Sequence, residues 1–223
     1  MENIPYANAI GSTMYAMIST RLDLAFAISL LSRYMSNLGI EHWVALKWLL
    51  RYINSSVHIG LDYCKSNIVL DLVMYVNSDF VGDRKTRKST TTYCFTLGGN
   101  CVRWKSQLHP LVALSTMEAE YMVVIDAFKE AIWLQGILKE ANLLERLVTI
   151  YSDSQRSIHL CKNLVYHETT KHVDVRFHFV RDLTSRSQLN LRKIPTKENL
   201  VDMGTKVVIA TKFKHCLDLL RIG

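Results

Sequence analysis

Asn77 and Asp79 close an apolar, β-prone run; Glu120 falls in the first turns of a helix, Asp153 ends a second strand-like run, and Asp202 opens the last helical region. Carboxylates drawn from separate strand ends and helix starts suit Mg²⁺. That ion prefers hard oxygen donors and keeps some waters, and two such ions assist in-line attack on a phosphodiester. Taken one at a time, the same residues are ordinary caps of strand ends and helix N-termini. Their chemistry therefore depends on whether the fold gathers them.

The charge pattern fits a polyanion. The 223 residues carry 27 Lys and Arg against 20 Asp and Glu, a formal net charge of +7. Between Arg84 and Lys105 there are six basic residues and no acid, and from Lys162 to Arg221 twelve basic residues face six acidic ones. A basic face of this kind is the footprint of a nucleic-acid surface, and equally a means to solubility.

The elements that must position these groups follow from periodicity. Residues 5–63 read as helices, with Tyr15, Ile18, Leu22, Ala25 and Phe26, and then Trp43, Leu46, Leu50 and Ile53, at three- and four-residue spacing. The spacing then changes to β-rich runs over 68–80, 90–97 and from 101, the last two joined by Gly98-Gly99-Asn100. Ser115 and Glu118 form a capping box for a helix reaching Ala141. A fourth strand over 148–151, a helix from Gln155 to Lys162, a basic helix over 169–185, a fifth strand over 189–194 and helical segments over 199–220 complete the order. This is an α/β chain with a mixed five-stranded sheet flanked by helices and preceded by a small helical segment. The division falls at residues 1–65 and 66–223, and the second part is expected to fold without the first. The four Trp, at core-like spacings, read as packing residues, with Trp104 the one candidate for contact with a strand.

Other functions fit poorly. The most apolar stretch, Leu24 to Leu31, is far shorter than the ~20 residues of a membrane span. No basic region followed by an apolar run opens the chain, so an intracellular location is expected. Five scattered Cys without a Cys-x-x-Cys pair read as free thiols, and His167, His172 and His178 lack paired Cys at zinc-finger spacing. Ser115 and Ser154 lack a nucleophile elbow.

Several strings, in one order, resemble the ribonuclease H domain of Copia-type retrotransposon Pol polyproteins: YVNSDFVGD (75–83) followed by RKSTT (87–91), WKSQ (104–107), ALSTMEAEYM (113–122), YSDSQ (151–155) and TKHVDVRFHFVR (170–181). Residues 6–63, with RLD (21–23) and EHW (41–43), resemble the tail of the preceding reverse transcriptase. The resemblance implies a ribonuclease H-like fold and cleavage of the RNA strand of an RNA/DNA hybrid with two Mg²⁺ ions. Glu120, Asp153 and Asp202 match three of the family's four metal-binding carboxylates, and the fourth falls on Asn77. Impaired catalysis is the expectation, with a decayed or repurposed nucleic-acid-binding or effector-type fragment as the alternative. The partners implied are RNA/DNA hybrid or other nucleic acid, contacted by Arg84, Lys85, Arg87, Lys88, Lys171, Arg176 and Arg181, and the rest of a Pol polyprotein. Leu22, Leu38, Leu164 and Leu200 stand where such sequences usually have Pro, Val81, Val123 and Val201 where Ala is usual, and Met117 where Thr is usual. These changes, with Asp to Asn at residue 77, match the C-to-T pattern of a silenced element copy.

Overall fold

The computed structural model describes residues 4–63, 70–83, 85–143, 146–162 and 189–223. Five strands, β1 (Leu72–Ser78), β2 (Thr90–Leu97), β3 (Asn100–Leu108), β4 (Val148–Ser152) and β5 (Leu189–Lys193), form one sheet in the order β3-β2-β1-β4-β5. The β1/β2 and β2/β3 pairs are antiparallel, while β1/β4 and β4/β5 are parallel. The hairpin strands β2 and β3 beside the three mutually parallel strands β1, β4 and β5 are the arrangement expected of a ribonuclease H-like fold.

Alternation along β1 builds the two faces. Leu72, Met74 and Val76 point to one side, where α4 (Thr116–Glu140) and α5 (Gln155–Lys162) cover them with Val123, Ala127, Phe128, Ala131 and Ile158. Small residues at 127 and 131 let α4 lie close to the sheet. Ser115 caps this helix by accepting from the Glu118 backbone N–H, and Glu118 accepts in turn from the Leu114 N–H. β1 ends at Ser78 rather than Phe80, because the Asp79 carboxylate turns back to accept the Thr90 backbone N–H.

On the other face, Tyr75, Cys94, Cys101 and Trp104 pack against the final helix α6 (Ala210–Leu220). The helical segment packs there too. It comprises α1 (Tyr6–Ser19), α2 (Ala25–Leu31) and α3 (Ile40–Ser55), with a small core of its own around Ile10, Leu24, Ile28 and Leu46. Leu22 and Ala25 nonetheless belong to the same cluster as Cys94, Leu200, Val201 and Leu217. Trp104 Nε1 donates to the Met17 carbonyl at 3.1 Å, so this indole joins sheet to helix rather than waiting for a nucleic-acid strand. Leu61 bridges Ile222, flanked by reciprocal Gly60 and Gly223 backbone bonds of 3.2 Å. Behind this seam, the buried Arg21 guanidinium forks onto Asp23 (2.8 Å) and reaches the Ser56 carbonyl (3.0 Å), and Tyr52 donates to the same Asp23 carboxylate (2.8 Å).

Two Trp expected in the core are on the surface. Trp48 and Trp133 are 63% and 54% exposed, and each carries a guanidinium over its ring, Arg51 at 4.6 Å and Arg103 at 5.1 Å. Stacked Arg shields an aromatic face without burying it, which periodicity does not reveal. The basic helix over 169–185 and its His residues lie outside the described residues.

Of the positions where the family pattern has smaller residues, Leu22, Val123, Leu200 and Val201 are buried and fill core space. Val81 is different. It sits in the β1–β2 loop at φ 58°, in the left-handed region that a β-branched side chain tolerates poorly. Val81→Gly is expected to stabilise the fold by about 1 kcal/mol, the cost of one residue held there. A thermal melt showing an unchanged or lower Tm would mean the loop bears no such strain.

Candidate metal and nucleic-acid site

The sheet gathers the four positions singled out in the sequence at one end. Asn77 is the penultimate residue of β1, Asp153 immediately follows the adjacent β4, Glu120 lies in the first turns of α4, and Asp202 begins a single 3₁₀ turn over Asp202–Gly204. Asn77, Glu120 and Asp202 are buried, and Asp153 is half-buried.

Asp202 reaches this place through contacts that its local sequence does not advertise. Asn199 Nδ2 donates to the Val76 carbonyl (3.0 Å), and Thr92 and Ser106 hydroxyls both donate to the Gly204 carbonyl (2.6 and 2.7 Å). A Cβ at Gly204 would overlap the Thr92 side chain, so only glycine allows this backbone to lie on β2. Asn77 and Thr92 are register partners, so both project onto the face where the 199–206 segment lies.

The polar contacts there are specific. Asn77 Nδ2 donates to Asp202 Oδ1 (2.9 Å) and to Thr205 Oγ1 (3.3 Å). Lys206 places its ammonium 2.6 Å from the same Asp202 oxygen. Its spacing four residues after Asp202 is the one signal by which sequence could have found it. Glu120 faces Asp153 and Asp202. Burial first, then the Asp153 charge and more weakly that of Asp202, push its carboxyl up to about 8, with Lys206 opposing. Glu120 Oε2 is buried and accepts no hydrogen bond.

That orphaned oxygen, beside two further carboxylates, fits a hard divalent cation. The remaining two groups do not help it. The Asn77 amide nitrogen and the Lys206 ammonium both spend a positive edge on Asp202, where a cation would compete with them. Glu120, Asp153 and Asp202 feel one another's charge, but neither they nor any other three His, Cys, Asp or Glu side chains among the described residues stand at metal-ligating spacing, so an ion would have to draw them together.

Asp79 does not join the cluster as a ligand. It accepts from the Thr90 and Gly82 backbone N–H groups, and burial raises its carboxyl despite them. It organises the basic loop, where Asp83 also accepts from the Lys85 (2.9 Å) and Thr86 (3.3 Å) N–H groups. Lys85 and Arg87 are exposed on that loop and Lys88 is half-buried. Arg84, Lys171, Arg176 and Arg181 lie outside the described residues. No helix among the described residues is long and apolar enough to cross a membrane.

The Glu120 environment sets a pH dependence. An unfolded chain releases this proton near 4.5, whereas the folded chain holds it to about 8. Between those values the folded state binds more protons, so the contribution of Glu120 to stability is complete below about 4.5 and is lost as pH rises through 8. Glu120→Gln is therefore expected to stabilise the metal-free protein above pH 8 by on the order of 2 kcal/mol. A tenfold change in proton affinity is worth ~1.4 kcal/mol, and relaxation around the charged carboxylate returns part of the total. Urea denaturation at acid and alkaline pH checks this, and an equal effect at both would show no such carboxyl.

No known family profile matches the chain. It is 44% identical over 219 residues to the retrovirus-related Pol polyprotein from transposon TNT 1-94 of Nicotiana tabacum, covering 98% of this chain and 16% of that polyprotein. The Pol polyprotein from transposon RE1 of Arabidopsis thaliana is 33% identical over 211 residues, covering 94% of this chain and 14% of that one. The secreted RxLR effector protein 161 of Plasmopara viticola is 44% identical over 134 residues, which are 60% of this chain and 94% of that protein. Among solved structures, a foamy viral protease-reverse transcriptase in complex with dsDNA superposes with a TM-score of 0.56 at 12% identity, over 87% of this chain and 40% of that one. With the sheet order and the sequence relatives in agreement, the chain belongs to the Ty1/copia-type retrotransposon Pol family, spans only about a sixth of those polyproteins, and has a ribonuclease H-like fold preceded by a helical segment.

Proposed function

We propose that this domain grips an RNA/DNA hybrid and was built to hydrolyse its RNA strand, with that hydrolysis weak or silent in this chain. The observation that carries the reading is the meeting of residues 77, 120, 153 and 202, contributed by four separate segments, around a Glu120 oxygen with no hydrogen-bond donor. Glu120, Asp153 and Asp202 would hold Mg²⁺, which when bound supplies charge stabilisation and an activated water for phosphodiester hydrolysis. The chain's own residues do the rest. Lys85, Arg87 and Lys88 hold phosphates on the loop leaving β1, the Asn199 and Gly204 contacts fix Asp202 against the sheet, and Lys206 neutralises Asp202.

The relative described as a secreted effector favours a second reading, in which this fold persists without catalysis. The Asn77 amide favours it too, since it satisfies Asp202 without any ion. One experiment separates the two. Hybrid binding by the intact chain should weaken on the order of 10³-fold between 50 and 200 mM salt, if about six phosphates are contacted. Any Mg²⁺-dependent RNA cleavage should be slow and should vanish in Glu120→Gln. Absence of hybrid binding at low salt would leave only the second reading, and brisk cleavage would refute the impairment.

A further inference from the structure

We propose that Cys94 and Cys101 form a reversible disulfide that staples β2 to β3. Their sulfur atoms are 3.0 Å apart, closer than the ~3.5 Å of ordinary heavy-atom contact, and both side chains are buried. A shift of about 1 Å would bring them to the ~2.05 Å of a disulfide bond.

The juxtaposition is produced by an irregularity in the ladder. Phe95 pairs with Arg103, but Thr96 pairs with Cys101, leaving Val102 as an extra residue on β3. In a regular ladder Cys101 would oppose Leu97 and point to the α4 face, away from Cys94. The bulge turns it onto the opposite face, where Cys94, Cys101, Tyr75 and Trp104 share one cluster.

Reactivity is gated by the fold. In the closed sheet, burial and the hydrogen bond with Cys101 push the Cys94 thiol well up, so little thiolate is present. β3 is an edge strand of the sheet, and local opening there uncovers Cys101 first. Oxidised glutathione, a low-molecular-weight disulfide, then balances the reaction. One Cys thiolate attacks a glutathione sulfur and releases a first glutathione thiolate; the second Cys attacks the mixed disulfide and releases another. Two protein thiols and one glutathione disulfide become one protein disulfide and two glutathiones, which take up both protons.

The test equilibrates the full chain with graded ratios of oxidised to reduced glutathione, then denatures it and alkylates it. The reduced chain has five Cys and takes five adducts. The oxidised chain should take three, lose the mass of two hydrogens, carry no glutathione, and yield a peptide linking residues 94 and 101. Its Tm should rise by about 5 °C, as befits a short closed loop. Cys94→Ser and Cys101→Ser should each abolish this species, and reduction should restore five adducts. Repeating the exchange in sub-denaturing urea, which speeds strand opening, removes access as an excuse. Five free thiols there, stable glutathione adducts, or a link through Cys64, Cys161 or Cys216 instead would each overturn the proposal.

Discussion

Asn77→Asp is expected to raise Mg²⁺ affinity by more than tenfold and to bring hybrid cleavage out of the background. An amide oxygen can still touch the ion but brings no charge. At ~4 Å and an effective dielectric near 20, the missing unit charge is worth about 4 kcal/mol per facing positive charge, and half of that already exceeds a decade in affinity. The geometry adds a second, opposite effect. Asn77 now donates to Asp202 at 2.9 Å, so the substitution sets two carboxylates against each other in a buried site. Without metal, the variant should lose about 1–3 kcal/mol through that lost bond and the repulsion. Melting with EDTA and then with Mg²⁺ or Mn²⁺ should show a Tm below wild type in the first case and a larger metal-induced rise in the second. Metal-independent Tm would sink the idea that residue 77 faces a cation. If metal binding returns without cleavage, the other substitutions limit the chemistry.

Removing residues 1–63 should leave a product that does not fold cooperatively. The sequence divides cleanly near residue 65, but the packing does not. Leu22 and Ala25 lie in one cluster with Cys94, Leu200, Val201 and Leu217, and Met17 accepts the Trp104 N–H. Truncation bares the part of this sheet face that α6 and residues 199–206 leave to the helical segment, and deletion of single large core side chains alone costs about 2–5 kcal/mol each. The lost cover is several such side chains, against the roughly 5–15 kcal/mol stability of typical domains. Near-UV circular dichroism and urea unfolding of residues 66–223 are the measurements. A soluble product with a sharp transition would show that the shared cluster is dispensable, and that the segment is a separate unit.

How much of this is legible in the sequence depends on the range of the interaction involved. The Thr90–Leu97 strand and the α4 helix from its Ser115 cap to Ala141 are readable because turn and capping chemistry is local. Asn77, Glu120, Asp153 and Asp202 stand out by their place in motifs, and their proximity comes from β1 and β4 lying side by side. The contacts that fix Asp202 are not readable. Asn199 on Val76, Gly204 on Thr92 and Asn77 on Asp202 each span more than a hundred residues and leave no local pattern. Val81 at positive φ is equally hidden, because the Asp79 cap that forces the loop back is a tertiary demand. The Cys pair escapes for the same reason: sequence shows two scattered thiols, whereas a bulge at Val102 makes them neighbours.

The short pairing of residues 60–62 with 221–223 bears on how the protein is made. Residue 61 leaves the ribosome 161 residues ahead of its partner, Ile222. At ~5–20 residues per second, residues 60–62 wait roughly ten to thirty seconds for the segment they bridge to. Through most of that interval β2 and β3 have emerged, but the cluster around Leu22 and Ala25 still lacks Leu200, Val201 and Leu217. Apolar surface left uncovered for that time is open to aggregation, so slower synthesis should lower the yield of native chain.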